Sequence, residues 1–270
     1  LAVWLIGAVA ASLFVLPVLW ALSASLRSTG QPWARNPEWI PSPLAWENYP
    51  AVFDTIDAER YALNSLFVVA LAAPLTILFA SFAGFAISQL PRIWRTRLVV
   101  LSVCTLMVPV TAIWLPRFIV YKEAGLIDRR AVLIVPSLMG TSPLYVLLFV
   151  WAFSRIPRDH FDAARLDGAG AFRLWKEIGM PLARPAIVAT AVLSSVHYWN
   201  QFIEPLLYIR THEKYVASQG LRMLYQLDST NWPLIMAGAI LMIAPIMLLF
   251  LTMQRVFLQD RRGQGVLGSS

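Results

Sequence analysis

Six long apolar runs, separated by shorter polar stretches, set the plan of the chain. They cover about residues 1–26, 62–89, 98–115, 131–153, 185–209 and 232–257, and each approaches the roughly 20 apolar residues that a helix needs to cross the hydrocarbon of a bilayer. A backbone in lipid must satisfy its own polar groups, so runs of this kind become helices. The pattern predicts an all-α, polytopic membrane protein with six transmembrane helices. The first run is longer than the 7–15-residue core of a signal peptide and reads as an uncleaved span. Every run holds a proline (Pro17, Pro74, Pro109, Pro136 with Pro143, Pro205, Pro245), which together fit a bundle that bends as it opens and closes. A small-residue patch, Ala83-Gly84-Phe85-Ala86, suits close helix packing in the second.

The polar interruption at 154–184 has its own grammar. Pro157 suits a helix start, Asp159 places negative charge at the positive end of the helix dipole, and Gly168 can adopt the left-handed conformation that ends a helix. A second short helix is expected from about Gly170 to Ile178, stopping before Pro181. Phe161, Ala164, Arg165 and Gly168 fall at helical spacing, and Ala163 with Ala164 leaves one face thin enough for another protein to approach. The segment predicts a helical hairpin outside the bilayer.

Composition confirms the membrane class. Hydrophobic residues make up 58% and charged residues 14%, against about half and a quarter in soluble domains, so no room remains for a sizeable soluble domain. The single Cys104 lies in an apolar run and has no second cysteine for a disulfide or a metal site. The net charge of +7 forms no basic stripe with interleaved aromatics, which excludes nucleic acid as a partner. Segments 90–97, 154–184 and 255–270 carry more than half of the 22 Lys and Arg in less length than the other connections. By the positive-inside rule they are cytoplasmic, with both termini on that side.

Candidate chemistry is sparse. No Gly-x-x-x-x-Gly-Lys-Ser/Thr motif occurs, so nucleotide phosphates are not held here by that route. His160, His197 and His212 lie in three separate regions, without the spacing of a metal site or a catalytic triad. The fifth run is different: His197, Tyr198, Trp199, Asn200, Gln201 and Glu204 put amides and an ionisable group inside an apolar segment, where they should face the bundle interior. Asn200 and Glu204, four apart, are expected to share a helix face with His197 just below. Aromatic planes beside hydrogen-bonding groups suit a sugar; the same residues equally suit ties between helices. The chain shows no useful internal repeat, which argues against a secondary carrier made of two inverted halves.

The run Asp162-Ala163-Ala164, then Asp167-Gly168-Ala169, Ile178, Pro181 and Pro185, resembles the EAA loop of permease subunits of binding-protein-dependent ABC importers. Asn48-Tyr49, Asn64-Ser65-Leu66, Met107-Val108-Pro109, Leu115-Pro116, Gly125-Leu126-Ile127-Asp128 and Trp199-Asn200 resemble the carbohydrate group, in particular its maltose-permease-like second subunit. Asp162 stands where that loop usually begins with Glu. The resemblance implies one ABC importer transmembrane domain over 1–270, in the cytoplasmic (inner) membrane of a bacterium or archaeon. It implies that Phe161, Asp162, Ala163, Ala164, Arg165, Asp167, Gly168 and Ala169 form a coupling helix docked on a separate ATPase dimer. ATP and Mg would sit on that ATPase, with no cofactor on this chain and no catalysis by it. The other implied partners are a second permease subunit, an extracytoplasmic binding protein and the lipid bilayer. The expected cargo is a sugar or sugar-like solute; a glycerol phosphodiester, polyamine or phosphate importer would share the loop, and an ion-coupled secondary carrier is the remaining alternative.

Overall fold

The computed structural model describes residues 2–29 and 39–264, and the side chains of most of these up to Thr252. Pro32 and Pro37, in the polar stretch between the first two runs, lie outside the described residues. All regular structure among the described residues is helical: α1 Ala2–Ser25, α2 Asn48–Thr55, α3 Ala58–Gln89, α4 Arg92–Leu106, α5 Val110–Glu123, α6 Ala131–Ile134, α7 Pro143–Ser154, α8 Arg158–Leu166, α9 Ala171–Arg173, α10 Met180–Leu182, α11 Arg184–Asn200, α12 Ile203–Tyr208, α13 Ala217–Leu227 and α14 Trp232–Gln264. Among the described residues, four segments are long and apolar enough to cross a membrane: Trp4–Ser25, Ala58–Gln89, Ala131–Ser154 and Trp232–Leu249. The count reaches six if two bent pairs are each one crossing, α4 with α5 at 92° and α9–α10 with α11 at 81°.

The bend between α4 and α5 falls inside the run expected at 98–115. The second bend falls just before the run expected at 185–209, and that run is itself interrupted between α11 and α12. The third run breaks at Met107–Pro109, because a residue before proline is pushed out of the helical region and proline itself donates no hydrogen bond. Past that break the chain does not become the loop expected from Pro116. It forms α5, which carries Arg117 and Lys122 within a helix. The short helix expected to end at Ile178 instead continues through a π-helical turn, Leu174–Gly179, into Met180–Leu182. Such a turn shifts which carbonyl each N–H reaches, a common accommodation beside a proline such as Pro181.

The described residues cluster into two compact units. One comprises the residues up to Asn64 with Tyr215–Leu248. There the Asn48 amide, buried at the start of α2, donates to the backbone carbonyls of Ser25 and Arg27, 2.8 Å each, and so satisfies carbonyls left open past the end of α1. Asn64 donates in the same way to the Tyr215 carbonyl at 2.8 Å. Val52, Ile56, Tyr61, Leu224 and Leu234 build the core of this unit.

The other unit comprises Ser65–Lys214 with the chain from Leu249. Its core gathers Phe85, Tyr145, Phe149, Phe153, Phe161 and Trp175. Thr76, Ser81, Ser137, Thr190 and Ser194 are fully buried, while large apolar side chains such as Leu101, Leu115 and Ile119 are more than half exposed. This inside-out distribution is what lipid as solvent demands, since the outer face gains nothing by being polar and helices approach through small residues. At the closest approach, a Cβ added to Gly84 would lie 2.5 Å from Phe149 Cβ and 3.0 Å from the Val146 carbonyl and Val150 nitrogen. Two of those atoms are backbone, so α3 and α7 must move apart to admit alanine. Gly84→Ala is expected to cost about 1–3 kcal/mol and to lower the unfolding temperature of the purified chain; an unchanged melting curve would contradict this packing.

Candidate functional site

The hairpin comes first because its geometry follows directly from its sequence. Pro157 precedes α8 as its N-cap and Asp159 sits in the first turn. At the other end Gly168 takes φ +81°, its N–H reaches the Arg165 carbonyl at 3.0 Å, and the Ala169 N–H reaches the Ala164 carbonyl at 2.9 Å. That pair of bonds is a Schellman termination, and Ala164 and Ala169 supply its apolar contact by packing on the aromatic core. Phe161 is 2% exposed and meets Phe85 edge-on at 5.8 Å. It faces inward and anchors α8.

Asp162, Ala163, Arg165, Asp167 and Gly168 are exposed. Arg165 donates to Asp162 Oδ1 and to Gln89 Oε1, each at 2.7 Å, which ties α8 to the end of α3. Leu166, which was not among the residues singled out from sequence, is 90% exposed. Its signal was an apolar residue off the Phe161 face of an otherwise charged helix.

The second candidate region lies where α11 ends. The expectation that Asn200 and Glu204 share a helix face is corrected: α11 stops at Asn200, and Gln201 and Phe202 leave the helical conformation before α12. Pro205 explains the break, since its ring and its missing N–H act against the carbonyl four residues back, which belongs to Gln201. Asn200 is exposed, while Tyr198, Trp199 and Gln201 are buried. The Gln201 amide nitrogen lies 3.2 Å from His197 Nε2. Tyr198 Oη is 2.6 Å from Thr141 Oγ1, which is 2.5 Å from Thr76 Oγ1, so α3, α7's entry turn and α11 share one chain of hydroxyls. Glu204 meets a residue the sequence placed in a loop: Arg117 Nη1 is 2.5 Å from its Oε1, with both side chains mostly covered. Tyr121 and Phe118 from α5 flank this pair by packing on Tyr208 of α12.

Outside the apolar segments, Asp128 joins two connections. Its carboxylate accepts from the backbone N–H groups of Arg210 and Thr211 at 2.9 Å, from the Thr211 hydroxyl and from Lys214 Nζ at 2.9 Å. Lys214 Nζ also reaches the Asp128 carbonyl at 2.6 Å. Asp128 and Thr141 are the non-glycine residues with left-handed backbone among those described, both at φ 60°. That conformation costs about 1–2 kcal/mol, and in both the side chain is committed to hydrogen bonds.

Burial raises the Asp128 pKa, but the donors from Thr211, Lys214 and Arg210 outweigh it and hold the carboxyl well below the usual carboxylate range. A depressed folded-state pKa contributes stability that is complete above the unfolded value of about 3.9 and is lost as pH falls through the folded value. The clamp is therefore expected to stay closed down to strongly acid pH. Asp128→Asn removes the ion pair at every pH, so proteolysis between Arg210 and Lys214 should rise in that variant even at pH 7. Equal resistance in the two proteins would contradict the clamp.

No group of three His, Cys, Asp or Glu side chains suited to a metal occurs among the described residues. Several long apolar helices with buried hydroxyl side chains between them define a multi-pass membrane protein. The family described as "Binding-protein-dependent transport system inner membrane component" matches residues 55–263, and the chain belongs to it.

Among curated relatives, the diacetylchitobiose uptake system permease protein NgcG of Streptomyces coelicolor is 28% identical over 89% of this chain and 80% of its own. The arabinooligosaccharides transport system permease protein AraQ of Bacillus subtilis is 29% identical over 95% and 92%. The sn-glycerol-3-phosphate transport system permease protein UgpE of Brucella suis is 32% identical over 90% and 89%. A solved chain of a bacterial ABC transporter involved in import of the acidic polysaccharide alginate superposes with a TM-score of 0.75 at 19% identity, covering 95% of each chain; that likeness concerns the fold. The protein is thus an inner-membrane, multi-pass transport component and not an enzyme.

Proposed function

We propose that this chain is one of the two permease subunits of an ATP-driven importer for a sugar or sugar-like solute, delivered by an extracytoplasmic binding protein. Residues 1–270 act as one transmembrane domain that crosses six times, each bent pair making one crossing, with both termini cytoplasmic. A cytoplasmic ATPase dimer, which holds ATP and Mg, docks on α8 through Asp162, Ala163, Ala164, Arg165, Asp167, Gly168 and Ala169. Its closing moves the membrane helices, and Phe161 is the anchor that carries that movement into the aromatic core.

The observation that carries this reading is the hairpin itself. A short helix is fixed at both ends, by Pro157 and by the Schellman turn at Gly168, and pinned from within by Phe161. It presents small and charged residues outward together with the exposed Leu166, a surface on which another protein can seat.

The sugar rests on the names of several relatives, among them the permeases for diacetylchitobiose and arabinooligosaccharides. His197, Tyr198, Trp199, Asn200, Gln201 and Glu204 line the solute's path in this reading. A phosphate-bearing solute is the second reading, favoured by the 32% identity to the sn-glycerol-3-phosphate permease. Pairing of Arg117 with Glu204 weighs against it, because that cation is already neutralised. Proteoliposomes holding both permeases and the ATPase should hydrolyse ATP faster when the binding protein and its sugar are added. Solute uptake by this chain alone, without any ATPase, would overturn the proposal.

A further inference from the structure

A cavity of about 100 Å³ lies behind α8, with a polar wall made by Ser88, Gln89, Arg95, Ser154, Arg158 and Arg165. Asp162 is the one carboxylate among its lining residues. The depth of this cavity in the membrane can be read from the helices that meet there. Gln89 is the last residue of α3, Ser154 ends the apolar segment Ala131–Ser154, and Arg95 lies in the first turn of α4. Three apolar segments therefore end at the same level, where hydrocarbon gives way to water.

The aromatic residues nearby agree with that level. Trp94 and Trp151 are 56% and 57% exposed, with the Arg97 guanidinium 5.0 Å from the first ring and that of Arg155 3.9 Å from the second. Exposed tryptophan beside arginine is the signature of the headgroup layer.

The charges inside the cavity do not balance. Arg165 is engaged by Asp162 and Gln89, while Arg95 and Arg158 have no acidic partner among the described residues. Two unneutralised guanidinium groups thus face one small, polar, concave space. Sites for small-molecule solutes take roughly 300 Å³ or more, so this one admits a phosphate group and little beyond it.

We propose that the cavity binds the headgroup phosphate of an anionic phospholipid from the leaflet on the α8 side, held by Arg95 and Arg158. Guanidinium forks suit phosphate oxygens, and basic pockets between helix ends at this level are a known way of selecting anionic lipid. The acyl chains would lie along the exposed apolar face beside Trp94 and Trp151. Because Arg158, Asp162 and Arg165 of α8 belong to the same wall, the lipid would brace the hairpin from the membrane side. The proposal needs only that the chain spans a membrane, and holds whether or not α8 docks an ATPase.

The test uses the purified transporter, stripped of native lipid and offered dioleoylphosphatidylglycerol and dioleoylphosphatidylcholine in equal amounts, with bound lipid counted by native mass spectrometry. The wild type is expected to retain phosphatidylglycerol in preference to phosphatidylcholine. Arg95→Gln with Arg158→Gln should reduce that preference about twenty-five-fold, at about fivefold for each arginine, while Arg95→Lys with Arg158→Lys keeps most of it. Equal retention of both lipids by the wild type would overturn the proposal, as would an undiminished preference in the glutamine variant. Displacement of phosphatidylglycerol by millimolar inorganic phosphate would overturn it too, by showing a site for a free ion. If the glutamine variant does not assemble, the wild-type comparison and the phosphate competition still decide.

Discussion

Replacing Gly168 with valine is expected to cut solute uptake about tenfold or more while the chain still inserts in the membrane. The reason is conformational and not steric crowding, since a Cβ at Gly168 would meet nothing within 4 Å. The backbone there has φ +81°, a region that costs an ordinary L-residue about 1–2 kcal/mol and a β-branched one more. Relief of that strain breaks the bonds from Gly168 and Ala169 back to Arg165 and Ala164, and α8 loses its fixed angle to the segment that follows. ATP hydrolysis should then run with little transport, or the ATPase should be released. Gly168→Asn separates this cause from simple bulk, because asparagine tolerates the left-handed region and should retain most of the uptake. The measurement is solute imported per ATP hydrolysed in proteoliposomes, and a normal ratio in the valine variant would remove the coupling role of this turn.

Loss of one partner from the Arg117–Glu204 pair should have the largest effect on stability. Both side chains are largely covered, 25% and 15% exposed, at 2.5 Å separation. Glu204→Ala leaves a guanidinium uncompensated next to Tyr121 and Tyr208, at an expected cost of about 3 kcal/mol. Glu204→Gln combined with Arg117→Gln removes both charges and should recover much of it. Thermal unfolding in detergent reads the stability, and uptake kinetics read the function. If the pair lies on the solute's path, the double variant will fold well yet show a raised KM; if it only ties α5 to α12, uptake will recover with the folding. A Glu204→Ala protein as stable as the wild type would contradict the pairing.

These two predictions rest on features that differ in how visible they were in the chain itself. The hairpin was legible because local chemistry fixes it: proline before, glycine after, and Phe161 and Ala164 three apart on one face. The apolar runs were legible because lipid imposes length and composition. The break after Asn200 was marked by Pro205, but proline also sits inside α3 and α14 without ending them, so the residue alone does not say whether a helix bends or stops. What decides is the surroundings, here the Arg117 partner that holds Glu204 on a separate helix. That partner is 87 residues away in the chain and has no periodic relation to it. Arg117 and Lys122 read as loop residues because charges inside an apolar segment are costly. Pairing with Glu204 lowers that cost for Arg117, and the structure places it in α5. The Asp128 clamp was equally hidden, since it joins residues 82 to 86 positions apart.

Cross-linking α8 to its motor is the most direct measurement. Cys104 is the only cysteine in the chain, so a Cys104→Ser background with Ala163→Cys offers one thiol on the exposed face of α8. Co-expressed with an ATPase subunit that carries a single cysteine in its docking cleft, this chain is expected to form a disulfide-linked species of the combined mass under mild oxidation. The same thiol should resist a membrane-impermeant maleimide added to intact cells. Labelling from outside, or the absence of a link to any nucleotide hydrolase, would contradict the coupling role assigned to the hairpin.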